Sequence, residues 1–93
     1  MHDLTIRNAT IMDGSGKARF QGDVAVDGDK ITAVEAAGTL APGKEDIDAD
    51  GLVVTPGFVD IHTHYDGQVC WDKEVTPSSW HGVTTVVMGN CGV

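Results

Sequence analysis

The first half of the chain alternates apolar and polar residues in short runs, the pattern of β-strands that are covered on one face. Residues 4–11 follow this period, and the Asp-Gly-Ser-Gly sequence at 13–16 then supplies turn residues. The clearest hairpin signal is Asp-Gly-Asp at 27–29, between apolar runs at 23–26 and 30–34. Because Asp-Gly adopts the turns that match the twist of paired strands, these two runs are predicted to pair.

Further short apolar runs follow before Pro56 and are separated by glycine-rich segments. Residues 36–44 are typical of a loop, and residues 45–50 and 52–55 predict two more strands. The chain has 12 glycines, and their concentration between the runs favours a meander or a small sandwich over helices. We therefore predict that residues 1–56 form the strands of a small β-domain, part of a β-sandwich.

Beyond Pro56 the pattern changes to a continuous apolar run that ends in two histidines. Phe58, Val59 and Ile61 predict a short strand buried on both faces, as in parallel sheets. His62 and His64 are two positions apart, so their side chains project from the same face of that strand. Imidazole is the commonest protein ligand of zinc. We interpret the pair as part of a metal site, against the alternative that the histidines only form hydrogen bonds in a loop.

A second β-branched run, residues 83–88, predicts another buried strand. A short helix at 77–81 is expected between the two strands, with Thr76 as its cap and Gly82 as its stop. Strand, crossover helix and strand make one βαβ unit, and parallel pairing brings Cys91 to the same edge as the two histidines. The prediction for the whole is a mixed fold, with β-strands first and an α/β segment after them.

The composition of the chain argues against several classes of function. The formal net charge is −8 with only six basic residues, which disfavours binding to a phosphate backbone, so no nucleic acid is expected as a partner. Apolar runs stay short of the roughly 18–20 residues that cross a bilayer, so no membrane is expected. The first residues lack the features of a secretory signal, and a cytoplasmic location is expected.

The residues around the histidines carry a family resemblance. The sequence Val-Val-Thr-Pro-Gly-Phe-Val-Asp-Ile-His-Thr-His at 53–64 resembles the opening of the amidohydrolase superfamily, metal-dependent hydrolases built on a (β/α)8 barrel, a TIM-like barrel, with a small β-domain. Residues 64–66, 76–79 and 81–92 are similar to the N-acyl-D-amino-acid deacylases, also called D-aminoacylases. The resemblance implies that residues 57–93 are the incomplete start of the barrel, beginning with its first βαβ unit.

The same resemblance implies a set of site residues. Cys91 matches the cysteine that binds the firmly held zinc, and His62 and His64 match a neighbouring metal position. A thiolate is a soft ligand with high zinc affinity, which favours this role for Cys91 over that of a small buried apolar residue. Asp66 is expected either to support a ligand histidine from behind or to cap a turn. The aspartate that moves the proton in this superfamily is expected beyond Val93.

The implied reaction is zinc-dependent hydrolysis of an N-acyl-D-amino acid, a small-molecule substrate, to a carboxylate and a D-amino acid. A barrel needs about 250 residues, so the 93-residue chain alone is expected to be inactive. The apolar strands need cover on both faces, so self-association, or a further chain that completes the barrel, is also expected.

Three alternatives remain open at this level. One is a cyclic amidase of the dihydroorotase or hydantoinase type, although Asp66 stands where the dihydroorotase pattern has an arginine. Another is a β-rich metal-binding or interaction module without enzymatic activity. The third is a truncation product that has no function of its own.

Overall fold

The computed structural model of the chain describes residues 1–89. Its strands are β1 (Leu4–Ile11), β2 (Phe20–Asp27), β3 (Lys30–Ala36), β4 (Glu45–Asp48), β5 (Val53–Val54), β6 (Phe58–Asp60) and β7 (Val83–Val86). Two short 3-10 turns, Gln68–Cys70 and Ser78–His81, lie between β6 and β7. The chain divides into two compact units, one that runs from Met1 to Pro56 and one that begins at Gly57.

The first unit is one five-stranded sheet in the order β3-β2-β1-β4, with β5 also paired to β1. The predicted strands and the hairpin between β2 and β3 are confirmed, and Gly28 adopts a positive φ of 59° at the turn. The expected meander is wrong in one respect, because β4 and β5 pair with β1 in parallel. A tight turn can only return the chain antiparallel to its neighbour, whereas the longer loop after β3 leads it to the far side of β1.

The main apolar cluster of this unit lies on one face of the sheet. Ala9, Ile11, Val24 and Ala49 are all at most 7% exposed and form one cluster. Ile11 and Val24 come from adjacent antiparallel strands, so alternation along each strand brings their side chains to the same face. The described residues 1–56 form one layer of strands, and the sandwich stays a prediction.

Asp23 is a buried carboxylate at the centre of the same sheet, with 0% exposure. It accepts backbone N–H bonds from Asn8 at 2.9 Å, Gly38 at 3.0 Å and Leu40 at 3.2 Å. Asn8 has a positive φ of 62° and lies where the register of β1 shifts against β2. Burial opposes the charged form, but the three N–H donors outweigh it and hold the pKa of Asp23 below its usual range. The carboxylate therefore joins the irregular part of β1 to the loop after β3.

The second unit is built on β6 and β7, and their predicted parallel pairing is confirmed. Backbone bonds run from Phe58 N to the Gly82 carbonyl at 2.9 Å and from Val87 N to the Asp60 carbonyl at 2.8 Å. Gly57 lies directly against Thr84 of β7, and a Cβ atom at position 57 would overlap that side chain. The absence of a side chain at this position therefore allows the two chains to approach closely.

The expected burial of these strands is wrong within the described residues. Phe58, Val59 and Ile61 are 59%, 58% and 72% exposed, because one neighbouring strand cannot cover both of their faces. β6 ends at Asp60 and β7 at Val86, so both are shorter than predicted. The histidines consequently follow β6 and do not lie on it.

The segment between β6 and β7 also differs from the expected crossover helix. Residues 78–81 form a single 3-10 turn, and the predicted stop at Gly82 is confirmed by its φ of 82°. Thr76 does not cap this turn. Its hydroxyl donates instead to Asp72 Oδ2 at 2.6 Å, and Pro77 precedes the turn. No helix in the described part of the chain is long and apolar enough to cross a membrane.

Candidate metal centre

His62 and His64 lie immediately beyond the carboxyl end of β6, with their ring centroids 5.5 Å apart and their planes tilted by 41°. Both residues are exposed. Two imidazoles that share a tetrahedral zinc at about 2.0–2.1 Å bring their ring centroids to roughly 5 Å. The separation, the exposure and the chemistry of the two donors therefore fit a shared metal ion.

The residue between the histidines faces the other way. Thr63 is 5% exposed, and its hydroxyl donates to the Val87 carbonyl at 2.7 Å. The predicted alternation thus persists past the end of the strand, with Thr63 turned inward between two exposed imidazoles. The backbone N–H of His62 donates to Asp60 Oδ1 at 3.2 Å, a bond that links the histidine to the last residue of β6.

Tyr65 continues the inward face of this segment and is 8% exposed. Its hydroxyl lies 2.7 Å from Ser78 Oγ and accepts the Ser78 N–H at 3.2 Å. Its carbonyl accepts the Val69 N–H at 2.9 Å. No sequence motif indicates a role for Thr63 or Tyr65, although the period of two that places the histidines on one side already turns these two residues to the other.

Asp66 bonds to the chain beyond β7. Its Oδ1 atom accepts the Gly89 N–H at 3.1 Å. Neither of the two roles expected from the sequence describes this contact, and a supporting role toward a ligand stays a prediction. Cys91, the third predicted ligand, lies outside the described residues. Gly89 precedes it by two positions in the sequence.

Within residues 1–89, no group of three or more histidine, cysteine, aspartate or glutamate side chains is close enough to hold a metal ion. Among these residues, the imidazole pair therefore has no third candidate ligand close to it. Cys70 is exposed and carries a free thiol.

The loop that follows the histidines is organised around Asp72. This carboxylate accepts bonds from the Thr76 hydroxyl at 2.6 Å and from Gln68 Nε2 and Thr76 N at 2.9 Å each. These bonds, led by the one from the Thr76 hydroxyl, hold the pKa of Asp72 far below its usual range. Gln68 also donates to the Thr76 carbonyl at 2.6 Å, which closes the loop on itself. No sequence pattern had singled out Asp72.

The sequence profile of the Amidohydrolase family matches residues 45–93, more than half of the chain. This chain belongs to the amidohydrolase family. The match includes β6, β7 and both histidines, so the exposed imidazole pair lies within the part of the chain that carries the family relationship.

Relatives of this amidohydrolase chain include deacylases of D-amino-acid derivatives. It is 47% identical to an N-acyl-D-aspartate deacylase of Alcaligenes xylosoxydans xylosoxydans, over 98% of this chain and 18% of the relative. It is 42% identical to a D-aminoacylase of the same organism, over 98% of this chain and 19% of the relative. The chain thus spans less than a fifth of the length of these relatives.

A solved structure gives the same relationship in three dimensions. The N-acyl-D-glutamate deacylase of Bordetella bronchiseptica, complexed with zinc and a phosphonate inhibitor, superposes with a TM-score of 0.85 and 37% identity. The superposition covers 99% of this chain and 19% of the deacylase. The inhibitor in that complex mimics the tetrahedral intermediate of the reaction.

Proposed function

We propose that this chain is the N-terminal portion of a zinc-dependent amidohydrolase that hydrolyses N-acyl-D-amino acids to a carboxylate and a D-amino acid. The observation that carries the proposal is the imidazole pair. His62 and His64 lie with ring centroids 5.5 Å apart at the carboxyl end of a strand paired in parallel. The carboxyl ends of parallel strands are where barrel enzymes place their catalytic groups.

The proposed architecture assigns a different part of the enzyme to each unit. Residues 1–56 are a portion of the small β-domain, a sandwich, and residues 57–93 are the start of a (β/α)8 barrel. The parallel pairing of β6 with β7 supports the second assignment, as does the exposure of Phe58 and Val59. In a complete barrel such side chains are covered by helices on one face and by the packed interior on the other.

In the proposed site, His62, His64 and Cys91 are the zinc ligands that this chain contributes. The neutral imidazoles of His62 and His64 each bind through one ring nitrogen, which leaves the other N–H to be held by a hydrogen-bond acceptor. When bound, zinc supplies a Lewis acid that polarises the amide carbonyl and activates a water for attack on it. The aspartate that moves the proton to the leaving amine is expected beyond Val93.

The role of Asp66 is to hold the metal segment, residues 62–66, in place. It does so through the backbone that leads to Cys91. Its bond to the Gly89 N–H supports this role, because it links the residues just after the histidines to the chain just before the cysteine. In this proposal Asp66 supports the ligand residues and does not itself bind the metal.

The test is an assay of the full-length protein that contains these residues, purified with zinc and given N-acetyl-D-amino acids and their L-enantiomers. We expect release of the D-amino acids and much slower release of the L-amino acids. The His62→Ala and His64→Ala variants should bind less metal and lose most of the activity. His81→Asn, which removes an exposed imidazole from the second 3-10 turn, should keep the metal content of the parent.

Two results would contradict the proposal. One is a zinc-loaded full-length protein that does not hydrolyse any N-acyl-D-amino acid. The other is a preference for hydantoins or dihydropyrimidines, which would assign the protein to the cyclic amidases. The 93-residue chain tested alone is expected to show no turnover, since the remaining ligands and the proton-moving aspartate are proposed to lie outside it.

A further inference from the structure

We propose that Thr63 and Tyr65 are positioning residues that set the direction in which His62 and His64 face the metal. The inference deepens the proposed function and rests on it. It concerns two hydroxyl groups that neither the resemblance nor the family relationship assigns to the site.

The metal segment follows the end of β6, which is Asp60. A backbone bond runs from Val87 N to the Asp60 carbonyl, two residues before the first histidine. Rotation of the metal segment about its own axis would turn both imidazoles away from a common point. Side-chain hydrogen bonds of the residues next to the histidines oppose that rotation.

Thr63 holds the segment at the first position. Its hydroxyl donates at 2.7 Å to the carbonyl of Val87, the same residue whose N–H closes the β6–β7 ladder. A hydrogen bond from the side chain thus extends the contact with the chain after β7 by three residues. The side chain is 5% exposed, so water does not compete for this bond.

Tyr65 fixes the same face at a second point. Its hydroxyl is bonded to both Ser78 Oγ and Ser78 N, and the ring is buried against the described residues of this unit. With Thr63 and Tyr65 both held inward, the alternation of side chains turns His62 and His64 outward together. The two hydroxyls lie two residues apart, and each is adjacent in sequence to His64.

The size of the effect follows from how narrowly metal ligands must be oriented. Ligand groups need to be held within roughly 0.5 Å and 10–20° of the productive geometry. Loss of a group that orients a metal ligand typically lowers metal affinity or activity by about 10–100-fold. We expect the removal of either hydroxyl to fall at the lower end of this range, since the other remains.

The experiment compares Thr63→Val and Tyr65→Phe with the parent in the full-length, zinc-loaded protein. Zinc affinity is measured by competition with a chelator, and the visible absorption spectrum of the cobalt-substituted protein reports the ligand geometry. We expect zinc affinity about tenfold weaker in each variant, a changed cobalt spectrum, and a lower kcat with little change in KM. Thr63→Ser, which keeps the hydroxyl, should restore the affinity and the spectrum.

Thr39→Val is the matched control, because it makes the same change at an exposed threonine whose hydroxyl has no hydrogen bond within residues 1–89. Thermal unfolding of the metal-free proteins separates orientation from folding. If Thr63→Val and Tyr65→Phe lower only the unfolding temperature and leave metal affinity and the cobalt spectrum unchanged, the two residues are structural and the inference is wrong. A His62→Ala variant that binds zinc as tightly as the parent protein would instead overturn the proposed function.

Discussion

The two units of the chain differ in how many apolar residues they bury. In the first unit the core is mostly apolar, with Ala9 at 0% and Ile11 at 4% exposure. In the second unit the most buried of the described residues are Thr63 and Tyr65, at 5% and 8%, while Phe58 of the adjoining strand is 59% exposed. The second unit thus buries two hydroxyl-bearing residues beside the histidines and leaves its apolar strand uncovered.

This difference follows from the number of strands that pair with the strands of each unit. Strand β1 is paired on one side by β2, its neighbour in sequence, and on the other by β4 and β5. Strand β6 has β7 as its one partner among the described residues. An apolar side chain such as Phe58 or Val59 that stays exposed forgoes about 1.5–3 kcal/mol of burial free energy. The central strand of the first unit is therefore paired on both sides, whereas β6 is paired on one side among the described residues.

The largest expected effect is association of the 93-residue chain. Since β6 presents apolar side chains and unpaired edges, we expect sedimentation velocity at micromolar concentration to show species larger than a monomer. The Phe58→Asp variant should reduce this association more than Ile31→Asp, which changes a residue of β3 that is 70% exposed. A compact, well-folded monomer of the parent chain would contradict the comparison between the two units.

The next effect concerns the buried carboxylate of the first unit. In the parent, the Asp23 carboxylate accepts three backbone N–H bonds. The Asp23→Asn variant has an amide there, with one oxygen and one NH2 group, and this amide cannot accept bonds from all three donors. We expect the free energy of unfolding of the first unit to fall by about 3 kcal/mol. The measurement is the urea midpoint at neutral pH, and Asp29→Asn at the exposed hairpin turn is the control.

The pH dependence gives the same residue a second test. The pKa of Asp23 is lowered in the folded state from an ordinary value of 3.8. Its contribution to stability is therefore complete well above pH 3.8 and is lost as the pH falls below that value toward the folded pKa. The urea midpoint of the parent should drop over this acidic range more steeply than that of Asp23→Asn. Equal slopes would show that the carboxylate does not contribute.

The smallest of the three effects is expected at Gly57. Gly57→Ala places a methyl group onto Thr84 and should force β6 away from β7, at a cost of about 2 kcal/mol. Hydrogen exchange at the Phe58 and Val87 amides, which close this strand pair, should become faster. Gly67→Ala is the matched control, because Gly67 has a φ of −93° and open space where the added Cβ would lie. Unchanged protection in Gly57→Ala would show that the strand pair adapts to a side chain.

Local patterns were enough to predict much of the fold and the shared face of the two histidines. Alternation of apolar and polar residues predicted the strands of the first unit, and Asp-Gly predicted the hairpin at Gly28. The period of two predicted that His62 and His64 share a face, and the exposed pair with its inward Thr63 agrees with this. These features depend on residues a few positions apart, so the order of residue types along the chain determines them.

Other features depend on partners that are distant in the sequence and appear only in the folded chain. Asp23 finds its donors 15 and 17 residues away, and Thr63 finds its acceptor 24 residues away. Gly57 is required as glycine because Thr84 packs against it across the strand pair. A periodic pattern shows which way a side chain points but not which atom it meets, since that atom is set by strand register and by the path of the loops.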